Sequence, residues 1–74
     1  MHIIVADYHF RGEEFARRQG WKHGEYRVVT TVDGLKGLRF THYLVVGYEH
    51  QPRVVEEAEL VKQKTLQNAA HKRA

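Results

Sequence analysis

Asp7-Tyr8-His9, Thr31 with Asp33, and Tyr48-Glu49-His50 are three short runs in which acid, imidazole, phenol and hydroxyl side chains crowd together. Groups of this kind transfer protons and orient ligands, provided that the fold carries the three runs to one edge. Nucleophilic chemistry is poorly supplied. The chain has no cysteine and no serine, and Thr30, Thr31, Thr41 and Thr65 lie in no recognisable activating context. Glu13-Glu14 and Glu56-Glu57 are adjacent carboxylates, but helical neighbours diverge by about 100° and do not share a proton. His2, His9, His23, His42, His50 and His71 include no pair with the four-residue helical spacing of a zinc motif. Only His9 and His50, with Asp7 or Glu49, could converge. We therefore expect no metal, no other cofactor and no enzymatic activity.

Two other groupings are candidates for binding. Arg11, Arg17, Arg18, Lys22 and Arg27 form a basic series with Tyr8, Trp21 and Tyr26 interleaved, a composition that suits single-stranded nucleic acid. The bland account has Trp21 capping a helix against the core and the cations solvated. Twelve basic residues against nine acidic ones leave a net charge of +3, a mild excess that many solvated surfaces share. Leu60 lies opposite the apolar stripe of the last helix, so Leu60, Gln63 and Lys64 are expected to touch a partner protein or a second copy.

The elements that must position these residues are short. With 74 residues the chain supports one hydrophobic core, and a domain of this size buries only about 60% of its unfolded surface. The expected domain spans 1–70, followed by a loose basic tail, 71–74. His2 to Ala6 is a continuous β-branched run that suits a strand covered on both faces. A short helix from Gly12 to Gln19 should follow, with Glu13 and Glu14 early, Arg17 and Arg18 late, and Gly20 as its left-handed stop. Tyr26 to Thr31 and Tyr43 to Tyr48 read as strands. Between them, Leu35 to Arg39 fits one helical turn with Asp33 as its N-cap.

Pro52 announces the longest helix, from Arg53 to about Ala70. Its Val54, Val55, Ala58, Val61, Leu66 and Ala69 fall within about 140° of arc. Lys62 lies on that stripe and should snorkel past it. No run approaches the roughly 20 apolar residues that span a bilayer, and no signal peptide is evident, so a soluble, cytoplasmic protein is expected.

The expected fold is α/β: a three-stranded, mainly parallel sheet of order 2-1-3, with Val28 and Val45 both buried beside a central first strand. The alternative pairs the second and third strands as an antiparallel hairpin at Asp33-Gly34. In the parallel arrangement the three polar runs meet at the carboxyl edge of the sheet, where such folds bind ligands.

His2-Ile3-Ile4-Val5-Ala6 with its loop and helix resembles the opening of a Rossmann-like or P-loop-like half-domain. Gly34-Leu35-Lys36-Gly37-Leu38-Arg39, followed by the strand to Tyr48-Glu49, resembles the approach to a Walker B segment in helicase- and terminase-type ATPases. The overall layout is also similar to short proteins encoded by actinobacterial phages, for which the host cytoplasm would be the location. The resemblance is to a degenerate form. Gly47-Tyr48 stands where those ATPases carry Asp-Glu, and Asp7 to Gly12 holds one glycine in place of a phosphate-binding loop. What it implies is a fold without hydrolysis. The function expected is a non-catalytic protein-binding module, such as a phage accessory protein acting on a host or phage protein or on itself. The alternative is a nucleic-acid or nucleotide binder.

Overall fold

The computed structural model describes residues 1–71. β1 (His2–Ala6) leads into α1 (His9–Arg18), then β2 (Tyr26–Val29), a 3-10 turn (Asp33–Leu35), β3 (Leu44–Val46) and α2 (Val54–His71). Both outer strands run parallel to β1, in the order β2-β1-β3. The antiparallel hairpin does not form, because Asp33-Gly34 begins the 3-10 turn instead of closing two strands. Of the expected tail, 72–74 lie outside the described residues.

Period-two alternation along β1 divides the core into two layers. Ile3 and Val5 point to the α2 side, where they join Val29, Leu35, Phe40, Val54 and Ala58. Ile4 and Ala6 point to the α1 side with Ala16, and Phe15, Trp21, Val28 and Val46 pack around them. Gly12 allows α1 to approach the sheet closely, for a Cβ there would lie 2.6 Å from Val28 Cγ1.

α1 begins three residues earlier than expected. Tyr8 is its extended N-cap, without a side-chain cap bond, and the first turn holds no acidic residue. Glu13 and Glu14 are therefore mid-helix and spend their charge laterally. The C-terminus ends as expected, at Gly20 with φ 78°. Gly20 N–H donates to Arg17 O (3.0 Å) and Trp21 N–H to Ala16 O (3.0 Å), the paired bonds of a Schellman stop.

Asp33 is the first residue of the 3-10 turn, not its N-cap, which is Val32; Gly34 N–H donates to Thr31 Oγ1 (3.2 Å), while Asp33 reaches Lys36 (3.3 Å). Val54 and Ala58 of α2 are fully buried, yet Leu66 on the same stripe is 43% exposed. An 18-residue helix is about 27 Å long and outruns strands of three to five residues. Lys62 lies along the stripe edge with Nζ 3.3 Å from Glu59 and 5.9 Å above the Tyr43 ring.

The expectation that Val28 and Val45 are both buried holds only in part. Val28 is half-buried against Gly12, but Val45 is 48% exposed and Leu44 39%. α1 packs chiefly on β1 and β2 and touches β3, where Val46 joins its layer, while α2 packs on β1 and the 3-10 turn, so Leu44 and Val45 stay exposed.

Candidate functional site

The parallel sheet places the ends of all three strands at one edge, and Asp7 is the residue that organises it. Its backbone is accessible, but its side chain has no exposed surface. Oδ1 accepts the Tyr8 N–H (2.8 Å) and lies 3.6 Å from Arg11 Nε. Oδ2 accepts the N–H groups of Tyr48 (3.2 Å) and Glu49 (3.1 Å). Burial alone would raise its pKa, but the backbone donors of Glu49, Tyr8 and Tyr48 and the charge of Arg11 together hold it below the ordinary carboxylate value. Oδ2 thus ties the loop after β3 to the end of β1, while Oδ1 is taken by the Tyr8 N–H and Arg11.

Gly47 makes this possible. It adopts φ 85°, and any Cβ there would collide with the Asp7 carboxylate. At this position the ATPase-like pattern would carry its acid, so the space for that side chain is already filled by Asp7.

Around the clamp, Arg11 lies between three rings. Its guanidinium carbon is 5.4 Å from the centroid of Tyr8, 5.8 Å from Phe10 and 5.8 Å from Tyr48. The Tyr8 phenol is pushed up, first by a hydrogen bond to the Glu49 carboxylate and its charge, then by desolvation. The sheet edge therefore gathers Asp7, Tyr8, Tyr48 and Glu49, and adds Arg11 from the basic series. His9 turns away along α1 toward Glu13 (3.5 Å). Thr31 and Asp33 serve their own turn. His50 Nε2 is buried without a hydrogen-bond partner among the described residues. Among the described residues, no three of His, Cys, Asp and Glu converge as metal ligands.

The remaining basic residues are dispersed. Arg18 pairs with Glu14 at 2.6 Å. Trp21 stacks on His2 at 3.8 Å and meets Phe15 edge-on at 5.9 Å, so both neighbours hold its ring. Arg17, Lys22 and His23 line an open cleft of about 340 Å³ with Glu13, Trp21 and Tyr26, and the Tyr26 hydroxyl donates to Glu13. Arg27 is exposed on β2. On α2, Leu60 is 50% exposed, Gln63 donates to Glu59 (2.9 Å), and Lys64 borders a groove of about 300 Å³ beneath the Leu35–Arg39 loop.

Sequence reasoning passed over one open, partly apolar surface. Between α1 and β3 runs a groove of about 330 Å³, lined by Phe10, Arg11, Glu14, Phe15, Arg18 and Val46. Phe10 is 63% exposed and Tyr48 84%. Leu44 on the same face of the sheet and Val45 on the other add exposed apolar surface to a strand whose outer edge has no partner among the described residues. The available signal was the uncharged run Leu44-Val45-Val46 in a chain with too few helices to cover three strands on both faces.

No helix among the described residues is long and apolar enough to cross a membrane. Compared with protein-family models, curated proteins and solved structures, the chain matches none.

Proposed function

We propose that this chain is a non-catalytic protein-binding module that receives its partner along the outer edge of β3. One observation carries the reading: an edge strand without a single charge, which exposes Leu44 on one face and Val45 on the other and borders the Phe10 groove through Val46. Edges of this kind are normally blunted by lysine, proline or cover, because they accept another strand. Commitment of both Asp7 oxygens to backbone donors supports the non-catalytic half of the proposal, since a base must be free to take a proton. The layout similar to phage proteins suggests an accessory role inside a host cell.

The test is a photo-crosslinking residue placed at Phe10, with the same residue at Arg27 on the opposite edge as control. Protein adducts from position 10 and few from position 27 are expected. Equal labelling from both positions, or none from position 10, removes the reading. A second reading, nucleic-acid binding, rests on the Arg17, Lys22, Trp21 and Tyr26 cleft. It requires affinity for single strands that falls steeply with salt, against which the stacking of Trp21 on His2 leaves little free ring face.

A further inference from the structure

We infer that the partner of β3 is β3 of a second copy of this chain, paired antiparallel about a two-fold axis through Val45. The inference rests on the protein-binding reading and names its occupant. The backbone supplies the first argument. Asp7 N–H donates to Val46 O (3.2 Å), so the polar groups of Val46 face β1. Alternation along a strand then turns the N–H and C=O of Val45 outward, away from the sheet. Two Val45 residues related by a two-fold axis exchange both bonds, as the hydrogen-bonded pair of an antiparallel ladder.

Side chains agree with this register. Leu44 and Val46 pair with Ile4 and Ala6, on the α1 side, whereas Val45 pairs with Val5, on the α2 side. The symmetric pairing sets Leu44 beside the partner's Val46 on one face and Val45 beside the partner's Val45 on the other. Every contact is apolar on apolar. The competing contact, β3 against β2 of the next copy, would bring Arg27 beside Val45 and would grow without closing.

Charge and area choose between a second copy and a foreign peptide. The cations at the groove are already neutralised, Arg11 by Asp7 and Arg18 by Glu14, so an acidic peptide gains little there. An uncharged apolar strand is what fits, and β3 is one. Tyr8, Phe10, Leu44, Val45 and Tyr48 are 45%, 63%, 39%, 48% and 84% exposed. On side chains of this size the patch offers roughly 500 Å², a large part of the ~800 Å² per partner that a stable interface buries. The product is a six-stranded sheet, a common size, in place of one too small to cover itself.

Because the chain lacks cysteine, Val45→Cys introduces a lone thiol. In the inferred pair the two Cα atoms lie about 5.5 Å apart, within disulfide reach. Sedimentation over about a hundredfold concentration range should show a dimer, and mild oxidation should lock Val45→Cys as one while Arg27→Cys stays unlinked. Val45→Pro removes only the outward N–H, which an edge strand tolerates, so it should fold and dimerise about thirtyfold more weakly. A monomer at every concentration overturns the inference, as does a dimer indifferent to Val45→Pro but lost with Leu60→Glu. If the monomer still gives foreign-protein adducts from position 10, self-pairing fails while the binding module stands. If those adducts are also absent, both fail.

Discussion

β2 and β3 flank the same central strand, in the same parallel sense, yet they end the sheet in opposite ways. β2 is closed over. Gly12 lets α1 press onto Val28, the Tyr26 hydroxyl donates to Glu13, and Val29 keeps 3% of its surface beneath the layer that holds Leu35. Its outward-facing Arg27 is a charge that discourages strand addition. β3 pairs with β1 and is tied at its end by the Asp7 clamp on Tyr48 and Glu49, yet it exposes Leu44 and Val45. Two helices suffice to finish one edge of a three-stranded sheet. The other edge is finished by something else, which is why the binding proposal belongs to β3.

The largest effects should come from the devices that make the edges differ. At the β2 side, Gly12→Val places a branched side chain where even a Cβ would stand 2.6 Å from Val28 Cγ1 and 3.3 Å from Ala6 Cβ. Overpacking of this order costs about 3 kcal/mol, a large share of the stability of a domain this small, and chemical denaturation should read it directly. At the β3 side, Asp7→Ala strips the acceptor from three backbone N–H groups and leaves Arg11 unpaired. We expect a fall in Tm on the order of 10 °C, with amide exchange accelerated first at Tyr48 and Glu49. Uniform acceleration across β2 and β3 would mean that the clamp is not specific to one edge.

Much of this arrangement was readable from residue types. The β-branched run from His2 to Ala6, the Gly20 stop and the stripe through Val54, Ala58 and Val61 each have one physical solution, and together they give the 2-1-3 parallel order. The start of α1 was not readable. It has no side-chain cap, and the Asp7 carboxylate beside it, which accepts the Tyr8 N–H, also reaches a loop some 40 residues away, a contact for which sequence spacing carries no signal. Exposure of β3 was hidden for a similar reason. Leu-Val-Val is the composition of a buried strand, and whether a helix covers it depends on where α1 and α2 cross the sheet. At the candidate site the gathering of Asp7, Tyr8, Tyr48 and Glu49 followed from topology alone. Thr31, Asp33 and His9 depart from it through short-range bonds to their own neighbours.

A pair of identical substitutions sharpens the comparison. Val29→Ala removes methyl groups from a site with 3% exposure and should cost about 2 kcal/mol in monomer stability. Val45→Ala removes the same atoms from a site 48% exposed and should change it by no more than about 0.5 kcal/mol. Denaturant melts at low protein concentration, where association is negligible, measure this difference. Similar losses at both positions would show that β3 is covered within the monomer, and the binding proposal would lose its basis.

The smallest effect separates the edges by pH. At the β3 end, the folded protein holds Asp7 more acidic than the unfolded chain does. As pH falls, the unfolded state therefore takes up its proton first, so this contribution is present above the ordinary carboxylate range and is lost as pH drops through the lowered folded value. At the β2 side the sign reverses. Tyr26 is pushed up, first by its hydrogen bond to Glu13, then by desolvation and the charge of Glu13. Its contribution is complete below the ordinary phenol pKa and disappears as pH rises through the raised folded value. Acid should thus loosen the Tyr48–Glu49 loop and alkali the contact between α1 and β2. Two variants check the assignment: Asp7→Asn should flatten the acid limb of a stability-against-pH curve, and Tyr26→Phe the early part of the alkaline limb. Tyr8 and Tyr43 are also raised, the first chiefly by hydrogen bonding to Glu49 and the second by burial and Glu59, so Tyr26→Phe should remove only part of the alkaline loss. An acid limb unchanged by Asp7→Asn would mean that the carboxylate is not held ionised by its three amides, and the account of how β3 is anchored would have to be rebuilt.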